Sequence, residues 1–350
     1  MTKKLAAVKR QQLEGDKCRC VDLQTQPAGV LWSSGGERLA VWSKDGRLAI
    51  FDKNGECSFS WQAHRGRILS ASWSRDGALI ASAGSDGFCR VWTLQGTEVA
   101  CLKHSEGWVD HVKWSPHADI LVTGCSAKLR LWSQSGALFD ELCGHRFPVT
   151  DVSWHPVQTD VLVSCAGDGV CAWKLGYGEP VHRLDCLSYP EHLCFNPTGS
   201  ILAFGCGDGS VHVWTLGSGI ILKLAGHSSG LKALKWSCSG DWLAFCGDFE
   251  VFRWRFNRNA ARGTMPEKLV ASFGRLGQLQ FHDCHHLLAC GDEDGSVYVW
   301  RTDGLDRNLP IAMHYGDSSV VDIAWNPAAR LLVMAYKSGE IKFWNSDFRA

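Results

Sequence analysis

A short apolar strand that ends in one aromatic residue occurs eight times along this 350-residue chain, at intervals of 40 to 46 residues. The eight terminal aromatics are Phe51, Trp92, Trp132, Trp173, Trp214, Trp254, Trp300 and Trp344. Because one such unit is too short to bury its apolar faces alone, neighbouring units must stack against each other. The period therefore predicts a repeat architecture, and units built of strands favour a β-propeller.

The unit that ends at Trp92 shows the expected order of strands and turns. A first strand runs to Trp73, and a turn at Asp76-Gly77 follows it. A second strand over 78–83 leads to Asp86-Gly87, a dipeptide suited to a tight hairpin because glycine tolerates positive φ. A third strand ends at the tryptophan, and a more polar fourth strand precedes the next unit. Each unit is therefore predicted to be a four-stranded antiparallel sheet.

The two ends of the chain are predicted to complete one sheet together. Only residues 345–350 follow Trp344, too few for a turn and a fourth strand. The segment 18–23 precedes the first complete unit at the spacing of an outer strand, and its pairing with the last strand would cover two sheet edges. We therefore expect an all-β ring of eight four-stranded blades, closed by the N-terminal strand. Seven blades plus one irregular unit is the alternative, because the connections around Trp254 and Trp300 are less regular.

The repeated motifs resemble those of the WD40 repeat family over nearly the whole chain, from about Cys18 to Asn345. The family has Gly-His before the first strand of a blade, and Gly144-His145 and Gly226-His227 match it fully. The aspartate that follows the terminal aromatic in the family remains only as Asp52. Because eight units stand in register, the resemblance implies a WD40-type β-propeller.

The resemblance also implies a hydrogen-bonded network of a histidine, a strand hydroxyl, a turn aspartate and the terminal tryptophan. Two units keep all four members: His64, Ser82, Asp86 and Trp92, and then His145, Ser164, Asp168 and Trp173. Elsewhere the hydroxyl is replaced by Phe204, Ala244 and Met334. A buried polar group without a partner costs about 1–3 kcal/mol, so these residues are expected to be structural rather than catalytic.

Composition and charge limit the classes of function. Lysine and arginine number 36, as do aspartate and glutamate, which argues against a dedicated nucleic-acid surface. No apolar run approaches the roughly 20 residues of a membrane helix. Residues 1–16 are expected to form a flexible basic tail and 17–350 a single WD40-like propeller. The first apolar stretch is too short for a secretory signal, so we expect a cytoplasmic protein.

Sixteen cysteines raise the question of a metal or redox role. In a large chain without a secretory signal, reduced cysteines usually serve as small buried hydrophobic residues. Five of them recur near the end of second strands: Cys125, Cys165, Cys206, Cys246 and Cys290. A separate turn is crowded with His282, Asp283, Cys284, His285 and His286. Neither grouping has the paired spacing of a zinc site, and the first expectation is no metal.

The sequence predicts a binding protein rather than an enzyme. It lacks the phosphate-loop, zinc-protease and nucleophile-elbow motifs, so we expect no catalytic residue and no cofactor. The alternative is a metal-handling or redox accessory protein that uses His282, Cys284, His285, His286 and Cys290.

The resemblance implies that one face of the ring binds a protein or peptide partner. That face would collect the loops that lead into first strands and the hairpins between second and third strands. The candidate contact residues are Arg65, Arg67, Trp108, Arg146, Phe147, Tyr189 and Arg275 in the leading loops, and Lys44, Phe88, Lys128, Phe249 and Lys337 in the hairpins. Aromatic and arginine side chains are typical of binding hot spots. We expect a monomeric ring within a larger complex.

Overall fold

The computed structural model describes residues 18–186, 188–224, 230–256, 266–269, 274–282, 284–303 and 308–345. Within these ranges the chain forms 32 β-strands, arranged as eight antiparallel sheets of four strands each. The same ranges contain no helix that could cross a membrane. The predicted tail over 1–16 lies outside the described residues, so the division of the chain at residue 17 stays a prediction.

Strands are labelled β1 to β32 in chain order, and blades are numbered by their terminal aromatics. Blades 1 to 4 comprise β2 (Pro27–Trp32), β3 (Arg38–Ser43), β4 (Arg47–Asp52), β5 (Cys57–Gln62); β6 (Ile68–Trp73), β7 (Leu79–Gly84), β8 (Phe88–Thr93), β9 (Glu98–Lys103); β10 (Val109–Trp114), β11 (Ile120–Cys125), β12 (Lys128–Ser133), β13 (Leu138–Cys143); and β14 (Val149–Trp154), β15 (Val161–Ala166), β16 (Gly169–Lys174), β17 (Pro180–Leu184).

Blades 5 to 8 repeat this order of strands. They comprise β18 (Pro190–Phe195), β19 (Ile201–Cys206), β20 (Val211–Thr215), β21 (Ile220–Leu224); β22 (Leu231–Trp236), β23 (Trp242–Gly247), β24 (Glu250–Arg255), β25 (Glu267–Leu269); β26 (Leu276–His282), β27 (Leu287–Asp292), β28 (Ser296–Arg301), β29 (Ala312–Tyr315); and β30 (Val320–Trp325), β31 (Leu331–Tyr336), β32 (Glu340–Asn345) with β1 (Cys18–Asp22).

The eighth blade contains both ends of the described chain. β1 pairs antiparallel with β32, so that Cys18 lies opposite Trp344 and Asp22 opposite Glu340. Val21 also packs against a buried cluster shared by blades 1 and 8. The prediction of eight blades closed by the N-terminal strand is therefore confirmed. The seven-blade alternative is wrong, because the units around Trp254 and Trp300 are also four-stranded sheets.

The first strand of every blade contacts the first strands of both neighbouring blades, which makes a closed inner ring. In four blades the tryptophan that ends this strand donates its indole N–H to a carbonyl of the preceding blade. The pairs are Trp32–Ala324, Trp73–Leu31, Trp154–Lys113 and Trp236–Cys194, at 3.0 to 3.3 Å. The joint between blades 8 and 1 therefore uses the same contact as joints elsewhere in the ring.

The core lies between adjacent blades. The second strands β7, β23, β27 and β31 are buried at every position. One cluster joins Ala81 and Val91 of blade 2 to Val112 and Leu121 of blade 3. Since both faces of a sheet are covered, second strands read as continuous apolar runs rather than as alternating ones. All sixteen cysteines lie in the described ranges and none of them forms a disulfide, and the five at the ends of second strands are buried here.

In blade 2 the network of four residues forms a continuous chain of hydrogen bonds. The Trp92 indole N–H donates to the Ser82 hydroxyl at 2.9 Å, and that hydroxyl lies 2.8 Å from His64 Nε2. His64 Nδ1 lies 2.9 Å from Asp86 Oδ1. Arg90 Nη1 also lies 2.9 Å from His64 Nδ1, so this nitrogen can donate to the carboxylate or accept from the guanidinium. The second Asp86 oxygen accepts the Arg65 amide N–H at 3.2 Å, which ties the hairpin to the leading loop.

Blade 4 repeats this geometry. The distances are 2.9 Å for His145–Asp168, 2.7 Å for His145–Ser164 and 2.8 Å for Trp173–Ser164. In both blades an arginine that the sequence analysis did not include also donates to the aspartate. Arg90 reaches Asp86 at 2.9 Å from the third strand, whereas Arg183 reaches Asp168 at 2.7 Å from the fourth.

Burial lowers the pKa of His64 and His145, although their aspartate partners oppose the shift. Burial alone would raise the pKa of the Asp86 carboxyl, but its hydrogen bonds to His64 and Arg90 bring that pKa below the ordinary value. The network therefore contains a neutral imidazole and an ionised carboxylate.

Removal of β1 should open the ring. A variant that lacks residues 1–24 leaves β32 with an unpaired edge and exposes the cluster shared by blades 1 and 8, so it should aggregate or melt far below the intact chain. A variant that lacks residues 1–12 retains β1 and is the control. Thermal unfolding and gel filtration measure both effects, and equal melting of the two variants would contradict closure by β1.

Single alanine substitutions at His64, Ser82 or Asp86 should each lower the free energy of unfolding by about 1–3 kcal/mol, because each leaves a buried partner unsatisfied. Double substitutions should be strongly non-additive. Asp208→Ala is the matched control, since Asp208 stands in the corresponding hairpin of blade 5 but bonds to Ser210. Urea unfolding measures these changes, and additive effects near zero would show that the network does not form in solution.

Acidification should weaken the ring through its buried histidines. The folded-state pKa values of His64 and His145 lie below the ordinary 6.5, so the unfolded chain binds more protons once the pH falls below about 6.5. The free energy of unfolding should therefore decrease between pH 7.5 and 5.5, and less so in a His64→Gln/His145→Gln variant. An equal decrease in both proteins would exclude these two histidines as the source.

Candidate functional site

Leading loops and hairpins lie at the same end of every blade. Ile68 begins the first strand of blade 2 opposite Gly84, which ends the second strand. Val149 and Ala166 have the same relation in blade 4. The loop that leads into a first strand is therefore beside the hairpin between second and third strands. We call this end of the ring the upper face and the opposite end the lower face.

Most of the predicted contact residues are exposed to solvent on the upper face. The exposed fractions are 59% for Trp108, 50% for Phe147, 41% for Tyr189 and 51% for Phe249. The exposed cations are Lys44, Arg65, Arg67, Arg146, Arg275 and Lys337.

Two predicted contact residues are less available. Phe88 is half-buried, with the Arg90 guanidinium 4.6 Å from the centre of its ring. Lys128 is half-buried and forms an ion pair with Glu141 at 2.9 Å. Both side chains are already held by neighbours within their own blades, so they are weaker candidates for partner contact than the exposed set.

Phe147 and Tyr189 both lie against the hairpin of blade 4, although 42 residues separate them in sequence. A methyl group placed on Gly167 would lie 2.5 Å from Tyr189 Cε2 and 3.3 Å from Phe147 Cγ. Both rings therefore rest on the bare backbone of Gly167. The Arg146 amide donates to Asp168 at 2.7 Å, so the network of blade 4 fixes the loop that carries Phe147. Exposed aromatic side chains from the leading loops of blades 4 and 5 thus lie against one glycine.

Blade 3 has an arginine at the centre of its network. Ala127 stands at the position of the turn aspartate, and Arg130 Nη1 lies 2.9 Å from both His104 Nδ1 and Glu106 Oε2. Burial and the Arg130 charge lower the pKa of His104 to about 4. The hydrogen bond from Arg130 lowers the pKa of Glu106 to about 2. The imidazole is therefore neutral and accepts from the guanidinium. In blades 2 and 4 the same ring nitrogen lies beside the carboxylate of an aspartate.

Three potential metal ligands meet in the same blade. Atoms of His104, Glu106 and Cys125 lie within 4.8 Å of one another. However, the Arg130 guanidinium already contacts both the imidazole and the carboxylate, and burial raises the pKa of the Cys125 thiol to about 11. A metal ion would have to displace a cation and deprotonate a resistant thiol. The donor set fits an ion-paired cluster better than a metal centre.

The predicted ligand set of the metal-handling alternative does not meet at one point among the residues that the structure describes. His282 Nε2 lies 3.0 Å from the Ala329 carbonyl oxygen, and Cys290 is fully buried in β27. His285 packs edge-on against His282, with ring centres 4.6 Å apart, whereas Cys284 and His286 lie in the exposed turn. Asp283 lies outside the described residues. These contacts give the alternative no support.

Three arginines that complete the polar networks were not predicted from the sequence. Arg90 and Arg130 both stand two residues before a terminal tryptophan, a repeat position that could have revealed them. Arg183 stands on a fourth strand, at a position that no repeat pattern marks. Its side chain extends across to the hairpin and donates to Asp168.

Comparison with known families agrees with this architecture. The profile of the WD domain, G-beta repeat, matches residues 55–93, 96–133, 136–173, 178–215 and 219–255, which make up more than half of the chain. The profile of the anaphase-promoting complex subunit 4 WD40 domain matches residues 279–348.

Known proteins with similar sequences carry the same kind of repeat within longer chains. The transcriptional corepressor LEUNIG_HOMOLOG of Arabidopsis thaliana is 23% identical over 287 residues, which cover 79% of this chain and 35% of that protein. Autophagy-related protein 16 of the same plant is 25% identical over 297 residues, 82% of this chain and 57% of that protein. The SIR4-interacting protein SIF2 of Saccharomyces cerevisiae is 24% identical over 332 residues, 89% of this chain and 57% of that protein.

The chain thus spans between about a third and just over half of the length of these relatives. Both the matched repeats and the ring of eight four-stranded blades lead to one assignment. The chain belongs to the WD40 repeat family.

Proposed function

We propose that this chain is a non-catalytic scaffold that binds a protein or peptide segment on its upper face. The observation that carries the proposal is that the exposed rings of Phe147 and Tyr189, from the loops of adjacent blades, both rest on Gly167. Large aromatic side chains on fixed loops offer contact area at a low cost in conformational entropy. Two relatives are named as a corepressor and as an interacting protein, which is consistent with this role.

The distribution of exposed aromatic side chains favours the upper face. Among the described residues, eight aromatic side chains are prominently exposed: Trp108, Phe147, Tyr189 and Phe249 on the upper face, Tyr177 on the lower face, and Phe59, Phe139 and Tyr315 on outer strands. Exposed apolar area in one region is typical of an interaction site. The arginines of the same loops would supply the charged contacts that commonly surround such an area.

The location and assembly of the protein are parts of this proposal. A cytoplasmic location stays a prediction, and so does the monomeric ring within a larger complex. Binding to a protein partner requires no cofactor, and the polar networks of blades 2 and 4 are explained by the stability of the ring.

Phe147→Ala and Trp108→Ala should each weaken partner binding by roughly thirtyfold, equivalent to about 2 kcal/mol, without changing the melting temperature. A partner recovered by affinity purification, then produced in pure form, allows this comparison by titration calorimetry.

Tyr177→Ala is the matched control, because Tyr177 is an aromatic side chain of similar size with 65% exposure on the lower face. Its removal should leave the affinity unchanged. Unaltered binding by the two upper-face variants, together with loss in Tyr177→Ala, would transfer the binding site to the lower face.

A further inference from the structure

Blade 5 has lost the polar network and contains a cavity in its place. Cys186 stands four residues before the first strand, where blades 2 and 4 have His64 and His145. Phe204 is the fourth residue of its second strand, the position of the network serine. The hairpin aspartate is retained as Asp208, but its carboxylate accepts from the Ser210 hydroxyl at 2.6 Å. An imidazole that would fill the space between loop and hairpin is therefore missing.

The resulting cavity has a volume of about 310 Å³. Phe204 forms one wall and stacks on His212, with ring centres 5.0 Å apart and planes inclined by 9°. Cys186, Cys206 and Ile221 add further apolar surface. This volume is at the lower end of the range of about 300–1,000 Å³ that is typical of ligand sites. The cavity therefore suits a single side chain better than a cofactor.

The mouth of the cavity is mainly acidic. Asp185 and Asp208 line it together with one cation, Lys223. Glu191 is close by, since a methyl group on Gly207 beside Asp208 would lie 3.2 Å from its carboxylate oxygen. Asp185 also pairs with Arg183 at 3.3 Å, which leaves Asp208 and Glu191 in excess over Lys223. A positively charged neighbour of the inserted side chain would therefore be attracted here.

The cavity is continuous with the proposed binding face. Its lining residues Asp185, Cys186 and Ser188 belong to the leading loop that also carries Tyr189. The Gly207 amide donates to the Tyr189 carbonyl at 2.8 Å, so the aromatic pair and the hairpin at the cavity are held in one arrangement. A peptide that covers Phe147 and Tyr189 can thus reach the cavity without crossing another blade.

We propose that this cavity, formed by the loss of the network in blade 5, receives one apolar or aromatic side chain of a bound peptide that has a lysine or arginine beside it. The inference rests on the proposed scaffold function and specifies its partner, which is a peptide segment in which a hydrophobic residue adjoins a basic one. The apolar walls take the first side chain, and the carboxylates at the mouth pair with the second.

The test is to rebuild the network that the other blades retain. Cys186→His with Phe204→Ser restores the histidine and the hydroxyl beside Asp208 and Trp214, so it places an imidazole at the cavity and removes the apolar Phe204 wall. The probes are fluorescein-labelled synthetic peptides with a central Phe or Leu flanked by Arg, Ala or Glu. Fluorescence anisotropy should show the wild type binding Arg-flanked peptides at least tenfold more tightly than Glu-flanked ones. The rebuilt variant should lose at least tenfold in affinity for the Arg-flanked peptides while it remains folded, which circular dichroism checks.

A second variant keeps the proposal testable if the rebuilt blade misfolds. Asp208→Asn leaves the apolar walls intact and removes one charge, so it should reduce the preference for Arg-flanked over Glu-flanked peptides severalfold. Equal peptide binding by wild type and rebuilt variant, no preference for the Arg flank, or no peptide binding at all would overturn the proposal. If Phe147→Ala weakens partner binding while the rebuilt variant binds normally, the cavity is excluded and the scaffold function stands. If neither change affects the partner, both proposals fail.

Discussion

Five residue pairs between β1 and β32 join the first and the last described strand, and contact between the first strands of blades 1 and 8 gives every blade a neighbour on both sides. This matters because no blade has a core of its own. The clusters lie between sheets, so an open ring would expose apolar faces on blades 1 and 8 as well as two unpaired edges. The backbone positions of the upper-face loops depend on the same closure, since each loop runs from one blade into the next.

The space between the leading loop and the hairpin of a blade holds different side-chain arrangements in blades 2 to 5. Blades 2 and 4 contain a neutral histidine between a hydroxyl and an ionised aspartate, with an arginine on the second carboxylate oxygen. Blade 3 has alanine in place of the aspartate, and Arg130 lies beside the histidine with its charge balanced by Glu106. Blade 5 has neither arrangement and contains a cavity. The ring tolerates different networks because each one stabilises mainly its own blade. The apolar residues buried between adjacent blades stabilise the ring as a whole.

The polar networks also serve the proposed function, although no member of them needs to touch a partner. Asp168 binds the backbone beside Phe147, and Asp86 binds the backbone of Arg65. Loops fixed in this way lose little conformational entropy when a partner binds. The hairpin aspartates therefore stabilise their own blades and also preorganise the adjacent loops of the upper face.

The repeat, the strand order, the closure and the two complete networks could be predicted from the sequence, because these depend on the spacing of residues along a regular unit. Terminal aromatics recur every 40 to 46 residues, and a histidine stands four residues before the first strand of blades 2 and 4. The sequence did not predict that Phe147 and Tyr189 both contact Gly167, that Arg183 reaches Asp168, or that blade 5 encloses a cavity. These features depend on side chains that extend between loops or strands of the ring. The distance between such side chains cannot be inferred from their spacing along the chain.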